Sequence, residues 1–214
     1  MRPFTGLIIA AAALSLVAGC SGKGGAGGGD TKTAATMDLG DPNAKVTVEE
    51  WASVTCPHCA AFNEEVFPAF KAKYVDTGKV HYVFHEFLTP PAQVAAAGFL
   101  VARCAGKDKY FNVTDAIFHS QAELYQDPRG VLFRIGKGVG MTEDQVTKCI
   151  QDDAGLKALN DRVEKAQTKD GVTGTPTFKF NGKTLDGQTL AGVPYNGGEM
   201  TLAQLDAALG QMLK

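Results

Sequence analysis

The chain has 214 residues, with 21 basic and 23 acidic side chains and a net charge of −2. That balance leaves no broad basic field, which argues against nucleic acid as a partner. With 44% hydrophobic residues, the part beyond the first three dozen residues suffices for one domain of ordinary size or two small ones.

The N-terminal stretch reads as an export signal. Arg2 precedes an apolar run at about 7–17, shorter than the ~18 residues needed to span a bilayer. Leu16-Val17-Ala18-Gly19-Cys20 resembles the lipobox of bacterial lipoproteins, which implies cleavage before Cys20 and lipid on its sulfur. The plainer alternative is an ordinary signal peptide with a chance cysteine. Lipidation also removes the odd one from a total of five cysteines. Residues 21–36, SGKGGAGGGDTKTAAT, are Gly-rich and lack apolar periodicity, so they read as a flexible tether. The expected layout is a signal peptide at 1–19, then the lipidated cysteine and tether at 20–38. A tether behind a lipid anchor places the domain outside the cytoplasm, where disulfides persist.

The folded part begins with AKVTVEEWASV at 44–54, a β-branched stretch after the turn-like Asp41-Pro42-Asn43, predicted as a strand. From Pro57 to about Tyr74 the pattern turns helical, with Ala61, Phe62, Val66, Phe67 and Phe70 near one face. Pro68 sits inside that run and is expected to kink it. A second strand follows at 79–87, where Val80, Tyr82 and Phe84 alternate with Lys79, His81 and His85. About eighty residues then read as helices. Thr89-Pro90-Pro91 opens one that runs over 92–105, and 110–124 forms another. Asp127-Pro128 opens a third, ending near 136–140. Thr142 with Gln145 matches a capping box for a helix to about Ile150. A further amphipathic helix is predicted at 153–169. Strand returns at 175–185, with Asn181-Gly182 as a hairpin turn. A second capping box, Thr201 with Gln204, opens the last helix at 202–213.

Chemistry concentrates in Cys56-Pro57-His58-Cys59, between the first strand and the first helix. A c-type haem site needs a histidine directly after the second cysteine, and Ala60 stands there. A structural zinc needs four ligands, commonly from two close pairs, whereas Cys104 and Cys149 are solitary. A passive staple gains little, because so short a loop removes little chain entropy. A redox pair has a positive mechanism. Cys56 meets the unpaired N–H groups and positive dipole end of a helix start, and both favour a thiolate. Pro57 at the first helical position costs no hydrogen bond, and a protonated His58 adds a nearby positive charge. The thiolate is the nucleophile of thiol–disulfide exchange, and Cys59, one turn on, is placed to resolve the mixed disulfide.

In this context residues 40–214 resemble the DsbA family of thiol–disulfide oxidoreductases. The resemblance rests on Cys-Pro-His-Cys after a strand and on a helical block between two strand-bearing halves. It implies an α/β thioredoxin fold with an inserted helical domain: 39–87 the first half, 88–169 the insertion, 170–214 the second half. It also implies a low Cys56 pKa and an oxidising couple. GTPTF at 174–178 looks like the loop in which Thr175 precedes a cis proline, Pro176, beside the active cysteines. In the family this loop pairs with an extended substrate segment; the plainer alternative is a trans proline at the first residue of a strand. Glu50 stands where the family often has a buried acid, to accept the Cys59 proton as the disulfide is transferred, although Glu49 next to it makes the assignment ambiguous. Threonine before the cis proline departs from the valine frequent in the oxidases and is familiar in isomerases, which puts the preferred redox partner in doubt.

Cys104 and Cys149, the remaining even pair in an oxidising compartment, are expected to form a structural disulfide, with two free thiols as the alternative. Its loop of roughly 45 residues contributes about 4 kcal/mol in the chain-entropy model. His81, His85 and His119 lack a metal-ligand pattern. The reading is thus a monomeric, lipid-anchored periplasmic enzyme without metal or cofactor. It donates the Cys56–Cys59 disulfide to unfolded exported proteins with free thiols, and a DsbB-like membrane oxidase recharges it. The rivals are a reductase or isomerase kept reduced by a membrane electron donor, and a thioredoxin-fold chaperone with a structural CxxC.

Overall fold

The computed structural model describes Met1 and residues 36–214. The expected signal peptide, Cys20 and nearly all of the expected tether lie outside the described residues. Among those described, no helix is long and apolar enough to cross a membrane.

A four-stranded sheet forms the centre. Strand β1 is Met37–Leu39, β2 is Val46–Ala52, β3 is Val80–Glu86 and β4 is Thr177–Phe180. Their order is β1-β3-β2-β4. β2 and β3 run parallel, whereas β1 pairs antiparallel with β3 and β4 antiparallel with β2. A parallel neighbour requires a crossover, and the first helix, α1 (57–75), supplies it. Met37 and Asp38 belong to the sheet, not to a tether, because their backbones pair with Phe84 and Val83 of β3.

Pro68 does not break α1. Two π-helical stretches, Phe62–Val66 and Lys71–Val75, flank the α-helical Phe67–Phe70 that carries it. The Phe67 N–H reaches back to the Phe62 carbonyl, so the wider turn accommodates the ring.

The inserted block comprises α2 (Ala92–Ala105), α3 (Lys107–His119), α4 (Gln121–Leu124), α5 (Pro128–Gly138), α6 (Glu143–Ile150) and α7 (Asp153–Thr168). The helix expected at 110–124 starts earlier, after Gly106, and breaks at Ser120. Thr89 caps nothing: its hydroxyl lies 2.9 Å from that of Thr55, and Pro91 holds the N-cap of α2. The Asp127 carboxylate accepts from the Gly130 N–H, and Thr142 with Gln145 forms a complete capping box. Cys104 and Cys149 are joined by a disulfide between α2 and α6.

Asn181 and Gly182 turn with positive φ, but only a single bridge, Phe180 to Lys183, extends β4 beyond them. The true hairpin comes later, β5 (Gln188–Leu190) with β6 (Val193–Tyr195). The chain ends in α8 (Leu202–Met212), opened by the capping box of Thr201 and Gln204.

Candidate active site

β2 delivers the nucleophile. After Ala52 the chain leaves the sheet, and Cys56 takes the N-cap position of α1 in an extended conformation, with Pro57 in the first turn. The loop carrying it is tied from behind. The Ser53 hydroxyl lies 3.1 Å from that of Thr55 and accepts from the Thr89 N–H. From the inserted block, the Gln121 amide donates to the carbonyls of Val54 and Cys56 at 3.0 and 3.1 Å. The Tyr125 hydroxyl donates to the Thr55 carbonyl. Three successive carbonyls are thereby satisfied by side chains of one short helical segment, which fixes the loop without any help from strand pairing.

Cys56 and Cys59 are free thiols. Cys56 is 6% exposed and Cys59 not at all, so only the first can meet a partner sulfur directly. Their acidities are driven apart. A hydrogen bond from the Cys59 thiol, aided by Thr175 and by the backbone N–H groups of Cys59 and His58, brings the Cys56 pKa down to about 5 against the cost of its burial. Cys59 is pushed far upward, first by burial, then by the hydrogen bond it donates to Cys56 and by the negative charges of Cys56 and Glu50.

The cis Thr175–Pro176 peptide places Thr175 against the nucleophile. The Cys56 thiol donates to the Thr175 carbonyl at 3.3 Å. The Thr175 hydroxyl is buried without a partner, which leaves it free to donate to the thiolate once the proton has gone. A polar cleft of about 300 Å³ runs along this loop, lined by Thr175, Pro176, Asn196 and Gly198 among others. A larger apolar groove of about 460 Å³, between α2, α5 and α6, contains none of these residues.

Alternation along β2 separates the two candidate acids. Glu49 turns outward and pairs with His85 at 3.2 Å, whereas Glu50 is buried, 3% exposed. Burial raises the Glu50 pKa to about 8, a hydrogen bond from Tyr82 opposes this, and the Cys56 charge adds to it.

His58 does not turn to the thiolate. It is exposed and ion-pairs with Glu199, in the loop before α8. That contact, more than the Cys56 charge, raises its pKa. Thiolate stabilisation therefore falls to Cys59, Thr175 and the helix N–H groups. Sequence reasoning missed Tyr82, Gln121, Tyr125 and Glu199; each joins the site through a contact 32 or more residues away.

A family model described as Thioredoxin matches residues 32–193. A Rickettsia bellii protein, assigned by inference as a protein-disulfide oxidoreductase, is 34% identical over 149 residues, 68% of this chain and 57% of that protein. The chain thus spans little more than half the length of that relative. Disulfide bond formation protein D of Bacillus subtilis is 24% identical over 69% of this chain and 68% of its own length. The crystal structure of Wolbachia pipientis alpha-DsbA1 superposes with a TM-score of 0.72 at 29% identity, covering 83% of this chain and 90% of that one.

Proposed function

This chain belongs to the thioredoxin family and has the DsbA-like fold within it; on that premise we propose that it is an extracytoplasmic thiol–disulfide oxidoreductase that donates the Cys56–Cys59 disulfide to newly exported proteins. The observation that carries this reading is the split pair: a sulfur that just reaches the surface, 6% exposed, with a pKa of about 5, beside a fully buried one that holds its proton. A thiolate that stable is a good leaving group, and good leaving groups make a disulfide oxidising.

The electrons and protons balance as follows. A substrate thiolate attacks the Cys56 Sγ of the oxidised enzyme, the Cys56–Cys59 bond breaks, and Cys59 leaves with the electron pair and takes up a proton, for which protonated Glu50 is the donor. A second substrate thiolate attacks the substrate sulfur in the mixed disulfide and releases Cys56 as a thiolate. Two substrate thiols are oxidised and one enzyme disulfide is reduced. Recharging runs in reverse on a partner disulfide. Cys56 attacks it, Glu50 accepts the Cys59 proton, and the Cys59 thiolate displaces the partner from Cys56. A membrane oxidase of the DsbB kind is the proposed partner.

The cis-proline loop offers the substrate an extended backbone beside Cys56. Export is the function of the proposed leader at 1–19. A lipidated Cys20 holds the mature domain, proposed to be a monomer, at a periplasmic membrane surface. The test is trapping. In Cys59→Ala the Cys56 thiolate can still attack the disulfide of an exported protein, the reverse of donation, and no Cys59 is present to displace it. In the native host exported proteins should therefore accumulate on Cys56, and the mature N-terminus should be a lipidated Cys20 by mass spectrometry. Captured proteins that are all cytoplasmic, or none at all, would overturn the proposal.

A further inference from the structure

The buried acid has a partner on the neighbouring strand. Tyr82 and Glu50 lie side by side on β3 and β2, where Val48 is the register partner of Tyr82 and Glu50 that of Phe84. The Tyr82 hydroxyl donates to Glu50 Oε2 at 2.5 Å, and both side chains are buried. The ring is held by Phe67, Phe70 and Phe111, with centroids at 4.9, 6.0 and 6.1 Å. It is therefore fixed in place by packing, independently of the hydrogen bond. We infer that Tyr82 is a positioning residue for Glu50, and that its fixed hydroxyl sets the pH at which this acid exchanges a proton with Cys59. The inference rests on the proton role proposed for Glu50 above.

Chemistry supports this division of labour. Burial and the neighbouring Glu50 charge hold the Tyr82 phenol well above its ordinary pKa. It therefore remains a donor throughout the working range and never competes for the proton. A donor on a carboxylate favours the ionised form. Without it, burial would hold Glu50 protonated to a still higher pH, so that a smaller fraction would be ionised at neutral pH to take the Cys59 proton. The other titratable groups facing the pair are Cys56 and Cys59 at the start of α1, Tyr195 of β6 and, against Tyr82, Tyr110 of α3. None of them carries a positive charge, so the phenol is the group among them that draws Glu50 toward ionisation.

The step to measure is resolution. Glutathione is placed on Cys56 as a mixed disulfide, and its release by Cys59 is followed across pH by acid quench and mass spectrometry. The wild type should release glutathione with a midpoint near the Glu50 pKa of about 8. Tyr82→Phe keeps the packed ring and removes the donor. It should move the midpoint up by about one unit and slow release about tenfold at neutral pH, with the Cys56 pKa unchanged. Glu50→Gln should remove the pH-dependent limb, and Tyr82→Phe added to it should change nothing further. An unshifted profile in Tyr82→Phe, while Glu50→Gln is flat, would overturn the role of Tyr82 alone. A wild-type profile in Glu50→Gln would overturn the proton role of Glu50 and this inference with it. A further loss in the double variant would mean that Tyr82 acts on stability rather than through Glu50.

Discussion

Reduction should stabilise this protein at neutral pH, reversing the usual effect of a disulfide. In the reduced state the folded Cys56 has a pKa of about 5, whereas an unfolded thiol titrates near ~8.5. Between these values the unfolded chain binds more protons, so stability rises with pH. The thiolate contribution is full above the unfolded pKa, at about 5 kcal/mol, and amounts to about 3 kcal/mol at pH 7. It is lost as pH falls through the folded pKa. Against it stands the disulfide of the oxidised form, whose four-residue loop contributes only about 2 kcal/mol in the chain-entropy model. The reduced protein should therefore be the more stable by about 1 kcal/mol at pH 7, with the order reversing near about pH 6.5. The assay is urea unfolding of oxidised and reduced protein between pH 5 and 8, with Cys104 and Cys149 both replaced by alanine so that one disulfide alone changes. Above pH 8 the unfolded Cys59 ionises while the folded one does not, which sets the upper limit. An oxidised form more stable at pH 7, or a difference that does not vary with pH, would refute the reasoning.

Glu50 makes the opposite linkage. Its folded pKa is raised to about 8, so the contribution of the carboxyl is full below the unfolded pKa and is lost as pH rises toward 8. Glu50→Gln should therefore stabilise the oxidised protein by up to about 3 kcal/mol at pH 7 and by about 1 kcal/mol at pH 5, read from urea midpoints; a pH-independent effect would contradict the buried-acid assignment. Removing the disulfide between Cys104 and Cys149, which closes a separation of 45 residues, should cost up to about 4 kcal/mol while leaving disulfide donation intact. Unchanged stability with lost activity would reverse that division. Gln121→Ala strips the amide from two carbonyls of the nucleophile loop and should cost about 2–4 kcal/mol. Hydrogen exchange should rise in residues 54–56, and protection as in the wild type would show that the loop does not depend on it.

Much of this architecture was legible because its signals are local. The β-branched run of β2, the proline after Cys56, and the two capping boxes each identify an element from a few adjacent residues. β1 was hidden because Met37–Leu39 offers three residues of pattern, and its partner, β3, lies far along the chain. The β5–β6 hairpin was hidden for a different reason. Its turn places Ala191 at φ 52 before Gly192, where Asn-Gly would have announced it, and Pro194 sits within the second strand. Conversely, Asn181-Gly182 made its turn, but Asn181 also ties its side chain to the Thr47 N–H, and no second strand follows. Within the site, the cysteines and the proline loop were readable as a motif. Tyr82 and Glu199 were not, because a tyrosine on an alternating strand reads as core and a glutamate before a helix reads as surface. Only the sheet register and the return of the chain past His58 turn them into neighbours.

Stoichiometric transfer is the most direct measurement of disulfide donation. Oxidised protein is mixed with a reduced peptide carrying two cysteines, and both are followed by mass spectrometry. One peptide disulfide should appear for each enzyme molecule that gains two hydrogens at Cys56 and Cys59, and the reaction should vanish in Cys56→Ser. A peptide that stays reduced, or one that is oxidised equally well by Cys56→Ser, would contradict the account.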